Sequence, residues 1–203
     1  MAHSTNIDPN TPLEYQSDIG KLNIFGFWVF LGAEIALFAT IFATFFALKA
    51  GTMGGPLPSE VFDMKNTIIM TLLLLISSFT SGLSINELRK RNVKSMMVWL
   101  IITLLFGLGF LYMEITEFIH LVHEGAAMGT NAFWSSFYLL TGTHGLHVSV
   151  GILWILLVMF QVKQRGLNPD TAKKLFVSSL YWHFLDFVWI FVFTSVYLLG
   201  MVG

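Results

Sequence analysis

The sequence predicts an all-α integral membrane protein with five transmembrane helices. Of its 203 residues, 55% are hydrophobic and 11% are charged, less than half of the charged share of about 25% that is usual in soluble domains. Five apolar segments reach the roughly 20 residues that cross a hydrocarbon core of about 30 Å. Lipid offers backbone groups no hydrogen-bond partner, and no segment alternates like a barrel strand, so each span is predicted to be a helix.

The predicted spans follow one another with short connections. Residues 1–22 are polar and lack the apolar core of a signal peptide, so we expect the first helix to act as its own insertion signal. The transmembrane domain, residues 23–203, contains predicted helices at about 23–49, 66–86, 96–119, 132–162 and 175–201. The fourth helix is long for a bilayer and is expected to tilt, kink or protrude.

The basic residues are unevenly divided between the two membrane sides. With five spans, the N-terminal segment and the loops at 87–95 and 163–174 share one side. That side carries most of the Lys and Arg residues: Lys21, Arg89, Lys90, Arg91, Lys94, Lys163, Arg165, Lys173 and Lys174. The other side carries Lys49 and Lys65. Because basic residues favour the cytoplasmic side, we expect a cytoplasmic N-terminus and a C-terminus outside.

Composition removes several classes of function. The chain has no cysteine, which excludes disulfides, iron–sulfur clusters and thiolate metal sites. No basic stripe of the kind that binds nucleic acid is present. A five-helix transporter or channel remains a rival interpretation, but the sequence shows no recurring pair of broken helices, which many transporters use.

Glu34, in the first span, is the clearest candidate for a function, because an ionisable group in the bilayer core costs at least a few kcal/mol. We expect it to be protonated or bonded to a polar group, on the face that also carries Phe27, Leu31, Phe38, Ile41 and Phe45. A separate stripe of small residues is the predicted seam with another helix: Gly32, Ala36, Ala39, Ala43 and Ala47. Two roles stay open for Glu34, a structural hydrogen bond and the handling of protons or lipid.

The outer end of the third span carries acids and a histidine at three- and four-residue steps: Glu114, Glu117, His120 and Glu124. The step from Glu117 to His120 matches the Glu-x-x-His motif of di-iron carboxylate bundles. Those sites need two such steps and two further glutamates, which this chain does not supply. A hydrogen-bonded cluster is therefore predicted, with no metal.

Histidines on the fourth and fifth spans suggest a haem at first sight. His144 and His147 lie three residues apart, and His183 precedes Asp186 by three. One further histidine could not support two bis-histidine haems, so we predict neither catalytic nor cofactor-binding residues. Asp186 is expected to pair with His183 or another partner, since an isolated buried carboxylate is untenable. The predicted role of the buried polar residues is a structural network: Glu114, Glu117, His144, His147, His183 and Asp186.

Three stretches together resemble subunit III of haem-copper terminal oxidases. They are GFWVFLGAEIALFATIFATFF, which contains Glu34; Glu117-Phe118 followed by FWSSFYLLTGTHGLHVSVG; and SSLYWHFLDFVWIFVFTSVYLLG. They occur in the family's order and each lies in a predicted span. The chain lacks the two extra N-terminal helices of the long form and is similar in size to the five-helix form of bacterial quinol oxidases. The segment PLEYQSDIGKLNIFGFW is similar to the aa3-type quinol oxidase version.

The resemblance implies a helper subunit of an enzyme complex in a bacterial plasma membrane. In the family, haem and copper belong to subunit I, and subunit III supports assembly, lipid binding in a cleft and sustained proton uptake. Subunits I, II and IV and phospholipid are therefore the expected partners, and Glu34 would lie near the lipid. The complex would oxidise quinol, reduce dioxygen to water and move protons. A cytochrome c oxidase is the alternative, and a self-contained di-iron or haem protein is a more distant one.

Overall fold

A computed structural model describes residues 12–15 and 18–202, and over that part the chain is helical with no strand. A 3-10 turn, Leu13–Tyr15, precedes the helices. Their bounds are α1 Asp18–Leu48, the short α2 Pro58–Val61, α3 Met64–Arg89, α4 Val93–His123, α5 Ala132–Arg165 and α6 Pro169–Val192. A π-helical turn, Phe193–Leu198, then leads into α7, Leu199–Val202. Among the described residues, five helices are long and apolar enough to span a membrane, which confirms the prediction of five: α1, α3, α4, α5 and α6 with its π turn.

Polar side chains in the loops set where the long helices begin. An Asp or Asn side chain accepts a hydrogen bond from a first-turn backbone N–H at the start of each of α3 to α6: Asp63, Asn92, Asn131 and Asn168. Such a cap satisfies one of the amide groups that a helix start leaves without a partner. Gly166 ends α5 with a φ of 69°, in the left-handed region where glycine carries no steric cost. The expected long fourth span is one unbroken helix of 34 residues, about 51 Å, so it must tilt or project beyond the hydrocarbon.

Helix α6 lies at the centre of the bundle and contacts α1, α3 and α5. In its most apolar 18-residue window 67% of the residues are buried, against 17% in α1, which packs on α5 and α6 from one side. Helices α3 and α4 form an antiparallel hairpin, and α4 also contacts α5. The outward faces carry many exposed large apolar side chains, as expected of a surface that meets lipid.

Trp182 of α6 fills the middle of the bundle and contacts three helices. Its side chain lies over Gly107 of α4 and Gly151 of α5, where an added Cβ would fall 2.7 Å and 3.1 Å from the indole ring. Its Nε1–H donates to the Oγ of Ser77 on α3 at 3.0 Å. The two glycines therefore let α4 and α5 approach α6 closely around one large aromatic ring.

Candidate functional site: polar contacts inside the helix bundle

Glu34 on α1 forms a hydrogen-bonded pair with His147 on α5. The Glu34 Oε2 atom lies 3.1 Å from His147 Nε2, and His147 Nδ1 lies 2.7 Å from the backbone carbonyl of Thr143. A carbonyl oxygen only accepts, so Nδ1 carries a hydrogen. One further proton is needed for the contact between Nε2 and the carboxyl. The pair is thus neutral as a whole, as a carboxylic acid beside a neutral imidazole or as a carboxylate beside an imidazolium.

The pair lies in the seam between α1, α5 and α6. The Phe38 ring packs 5.1 Å from the His147 ring, and Tyr181 donates its hydroxyl hydrogen to the His147 carbonyl at 3.3 Å. The side chains of His147 and Glu34 remain 18% and 14% exposed. The carboxyl–imidazole pair is therefore mostly enclosed but not fully buried.

Within this chain, the small-residue stripe is not the seam by which α1 packs on other helices. The face of α1 that packs against α5 and α6 is the Glu34 face, with Leu31, Phe38 and Phe45 buried. His147 gives Glu34 a partner across this interface, and the aromatic side chains fill the remaining space, so α1 turns its larger residues inward. The small-residue stripe is exposed on the opposite side: Gly32, Ala36, Ala39, Ala43 and Ala47.

The expected pairing of Asp186 with His183 is not made. His183 Nδ1 instead lies 2.6 Å from the Ser78 Oγ atom on α3. Asp186 is buried, and neither of its carboxyl oxygens has a hydrogen-bond partner among the described residues. The two side chains are three residues apart on α6, but His183 points across the seam to α3.

Further hydroxyl groups on α3 bond to tryptophans and a serine of α6, residues that the sequence did not single out for this role. Trp182 and Trp189 donate their indole N–H groups to Ser77 and Thr71, each at 3.0 Å, and the hydroxyls of Ser81 and Ser179 lie 2.9 Å apart. Two spacings in the sequence are consistent with this seam. Ser77 and Ser81 lie four residues apart and Trp182 and Trp189 seven, so each pair lies on one face of its helix. Such hydrogen bonds between membrane helices are worth about 0.6 kcal/mol each.

At the C-terminal end of α4 the acids make separate contacts. Tyr197, in the π turn, donates its hydroxyl hydrogen to Glu117 Oε2 at 2.8 Å. His120 and Glu124 lie 3.9 Å apart and are well exposed. Within residues 12–15 and 18–202, no three His, Cys, Asp or Glu side chains group in a way that could hold a metal ion. In the Glu-x-x-His motif, Glu117 therefore bonds to another helix, whereas His120 lies on the protein surface.

Glu114 and His144 are the most deeply placed members of the predicted network. His144 on α5 is fully buried, and its Nε2 atom lies 3.2 Å from the Leu185 carbonyl on α6. Glu114 is also buried, with its carboxyl against Gly145 of α5. Most of the predicted polar residues therefore reach across a helix interface, but the described contacts form separate seams and not one continuous chain.

Comparison with known proteins matches this chain to one family over most of its length. The family described as cytochrome c oxidase subunit III matches residues 16–201. The quinol oxidase subunit 3 of Bacillus subtilis is 59% identical over 203 residues, and that of Bacillus spizizenii is 58% identical, with both chains covered completely in each case. The probable quinol oxidase subunit 3 of Staphylococcus saprophyticus is 53% identical over 196 residues, which are 96% of this chain and 97% of that protein.

Fold and polar contacts together define a polytopic α-helical membrane protein whose buried ionisable groups face other helices. The family match and the relatives identify which family of membrane proteins this is. The chain belongs to the cytochrome c oxidase subunit III family. It is a multi-pass protein of the bacterial plasma membrane and belongs to an oxidase complex with other subunits.

Proposed function

We propose that this chain is the non-catalytic third subunit of a haem-copper quinol oxidase. The observation that carries the proposal is full-length identity of 58–59% to two Bacillus proteins named quinol oxidase subunit 3. The complex would oxidise quinol, reduce dioxygen to water and translocate protons. Subunit I would hold the haem and copper, and subunits I, II and IV would be the partners of this chain.

Affinity purification of the tagged chain from its own membranes tests this proposal. We expect a larger haem-bearing subunit to co-purify, with a haem spectrum and quinol-dependent oxygen consumption. The separated chain should be colourless and free of iron. A solitary chain with about one equivalent of haem or iron, or a complex that oxidises cytochrome c but not quinol, would contradict it.

The proposed orientation places the N-terminal segment, residues 1–22, in the cytoplasm. Arg89 of α3 donates to the buried Glu14 carboxyl at 3.3 Å, which supports a shared membrane side for the N-terminal segment and the basic 87–95 loop. The chain has no cysteine, so Met53→Cys and Lys94→Cys each provide one thiol without background. An impermeant maleimide applied to whole cells should label the cysteine at position 53 and spare the one at 94. The reverse pattern would invert the orientation.

Phospholipid is the proposed non-protein partner of α1 and α6. These helices border an apolar lateral groove of about 450 Å³, lined mainly by aromatic side chains: Ile35, Phe38, Phe42, Phe184, Phe187 and Phe191. An acyl chain matches such a groove in chemistry. Phe38 also packs on His147, so a lipid there would lie one side chain away from the Glu34 pair.

Two substitutions of Glu34 separate its open roles. In Glu34→Gln the amide can still donate to His147 Nε2 but can carry no exchangeable acid proton. A role in proton or lipid handling predicts that Glu34→Gln keeps assembly and the haem spectrum and loses sustained turnover. A structural role predicts normal turnover in Glu34→Gln and loss of the subunit from the complex in Glu34→Leu. Glu124→Gln, on the surface, is the matched control.

A further inference from the structure

His144 on α5 and Glu114 on α4 are both buried, and each has a polar atom without a hydrogen-bond partner among the described residues. The imidazole lacks a donor and the carboxyl lacks an acceptor. His144 Nε2 lies 3.2 Å from the Leu185 carbonyl oxygen, which only accepts, so the hydrogen of a neutral imidazole is on Nε2. Nδ1 is then an acceptor. This atom is fully buried and has no hydrogen-bond partner among the residues described.

Glu114 supplies the complementary donor. Its side chain is buried, its Oε1 atom has no hydrogen-bond partner, and it forms no ion pair within the described part of the chain. An unpaired carboxylate at this depth costs at least a few kcal/mol, so the carboxyl keeps its proton. A protonated carboxyl has an O–H group that needs an acceptor.

The two side chains lie in the same layer between α4 and α5. The Glu114 carboxyl rests against Gly145, the residue after His144; a Cβ at position 145 would fall 2.8 Å from Glu114 Cδ. One turn earlier on α4, the Phe110 ring meets the His144 ring edge-on, with centroids 5.7 Å apart. Glycine at position 145 therefore leaves room for the Glu114 carboxyl against α5, at the residue next to His144.

A polar cavity lies near this layer, toward the C-terminal end of α4. The start of α3 and the end of α4 border a cavity of about 430 Å³ whose polar lining residues are Asp63, Asn66, Tyr112, Thr116, Glu117 and His120. A water molecule occupies about 30 Å³ in the liquid and needs two to four polar partners. Glu117 in the lining lies about one helical turn from Glu114, so a water molecule beside the buried acid would lie beyond the cavity lining, deeper between the helices.

We propose that Glu114 and His144 bind one water molecule and form a second carboxyl–imidazole pair. The Glu114 O–H donates to the water, and the water donates to His144 Nδ1. Two histidines three residues apart on α5 thereby each engage a glutamate from a different helix. His147 reaches Glu34 on α1 directly, and His144 reaches Glu114 on α4 through water. The site binds water and holds an exchangeable acid proton inside the bundle.

Infrared spectroscopy of the intact oxidase complex tests the pair. We expect a carbonyl band of a protonated carboxyl that shifts in heavy water and disappears in Glu114→Gln. His144→Phe keeps a ring and loses the acceptor that holds the water. The hydrogen bond from the Glu114 O–H to the water should then weaken, and the carbonyl band should move to higher frequency. In the control His147→Phe the Glu114 band should stay where it is.

Absence of a Glu114-dependent band would mean that the acid is ionised and would overturn the proposal. A band that does not move in His144→Phe would also overturn it, because the imidazole would then take no part. A high-resolution map of the wild-type complex provides a test that needs no variant. Density for one water within hydrogen-bond distance of both Glu114 Oε1 and His144 Nδ1 supports the pair, and direct contact or filled apolar space at that point refutes it.

Discussion

Substitution of Gly107 by alanine tests the packing around Trp182. The new Cβ would lie 2.7 Å from Cη2 and 2.8 Å from Cζ2 of the indole, whereas carbon atoms in contact prefer about 3.5–4.0 Å. The ring must therefore retreat by roughly 1 Å. It has little freedom to do so, because Gly151 lies close to another edge and the indole N–H is bonded to Ser77.

The expected cost follows from two contributions. Overpacking of a well-filled core costs about 1–3 kcal/mol, and loss of the indole bond to Ser77 adds about 0.6 kcal/mol. A helical Gly→Ala change offsets about 0.5–1 kcal/mol of this. The net loss of about 1–3 kcal/mol corresponds to a fall of roughly 2–12 °C in the midpoint of thermal unfolding for a chain of this size.

The measurement is the thermal midpoint of this subunit in the detergent-purified complex, followed by its loss from the complex. Gly109→Ala is the matched control on the same helix, since its Cβ would meet Leu73 at an ordinary 3.6 Å. Its midpoint should stay level or rise. The cost of Gly107→Ala should also shrink when it is measured in a Trp182→Phe background. Equal midpoints for the two glycine variants would refute the proposed packing.

Two further predictions concern polar contacts at opposite ends of the bundle. Arg89→Ala should destabilise the subunit by about 1–3 kcal/mol, because it leaves the fully buried Glu14 side chain without its cation. Lys90→Ala removes an exposed pair and should cost at most about 1 kcal/mol; equal thermal midpoints for the two would contradict this ranking. Tyr197→Phe should lower the free energy of unfolding by about 1–3 kcal/mol, and the same midpoint with it, since Glu117 loses the hydroxyl that donates to it at 2.8 Å. An unchanged midpoint would show that another donor replaces Tyr197.

The Glu34 site was only half predictable from the sequence. The cost of burying an acid in lipid singles out Glu34 without any structure. Its partner His147 lies 113 positions away, and no local spacing connects the two. The small-residue stripe on α1 suggested the wrong interface, because the glycine and alanine pattern could not show whether this seam relied on close backbone approach or on large aromatic rings.

The network around α6 shows the same division. Its histidine, aspartate and tryptophans are evident as polar or aromatic positions in an apolar span. Which of them bond to each other depends on how α3 is rotated against α6. In this rotation His183 bonds to Ser78, and Asp186 has no hydrogen-bond partner among the described residues. The π turn that presents Tyr197 to Glu117 left no clear mark in the residue pattern.

By itself the sequence determined that this protein is a bundle of five membrane helices and which buried groups need an explanation. Both follow from the free energy of transferring one segment or one side chain into lipid, and that quantity depends on local composition. Only the tertiary structure decided that Glu34 meets His147 and that Trp182 lies between two glycines. Contacts of this kind are set by the depth and rotation of helices distant in sequence, which apolar surfaces in lipid leave open until side chains interlock.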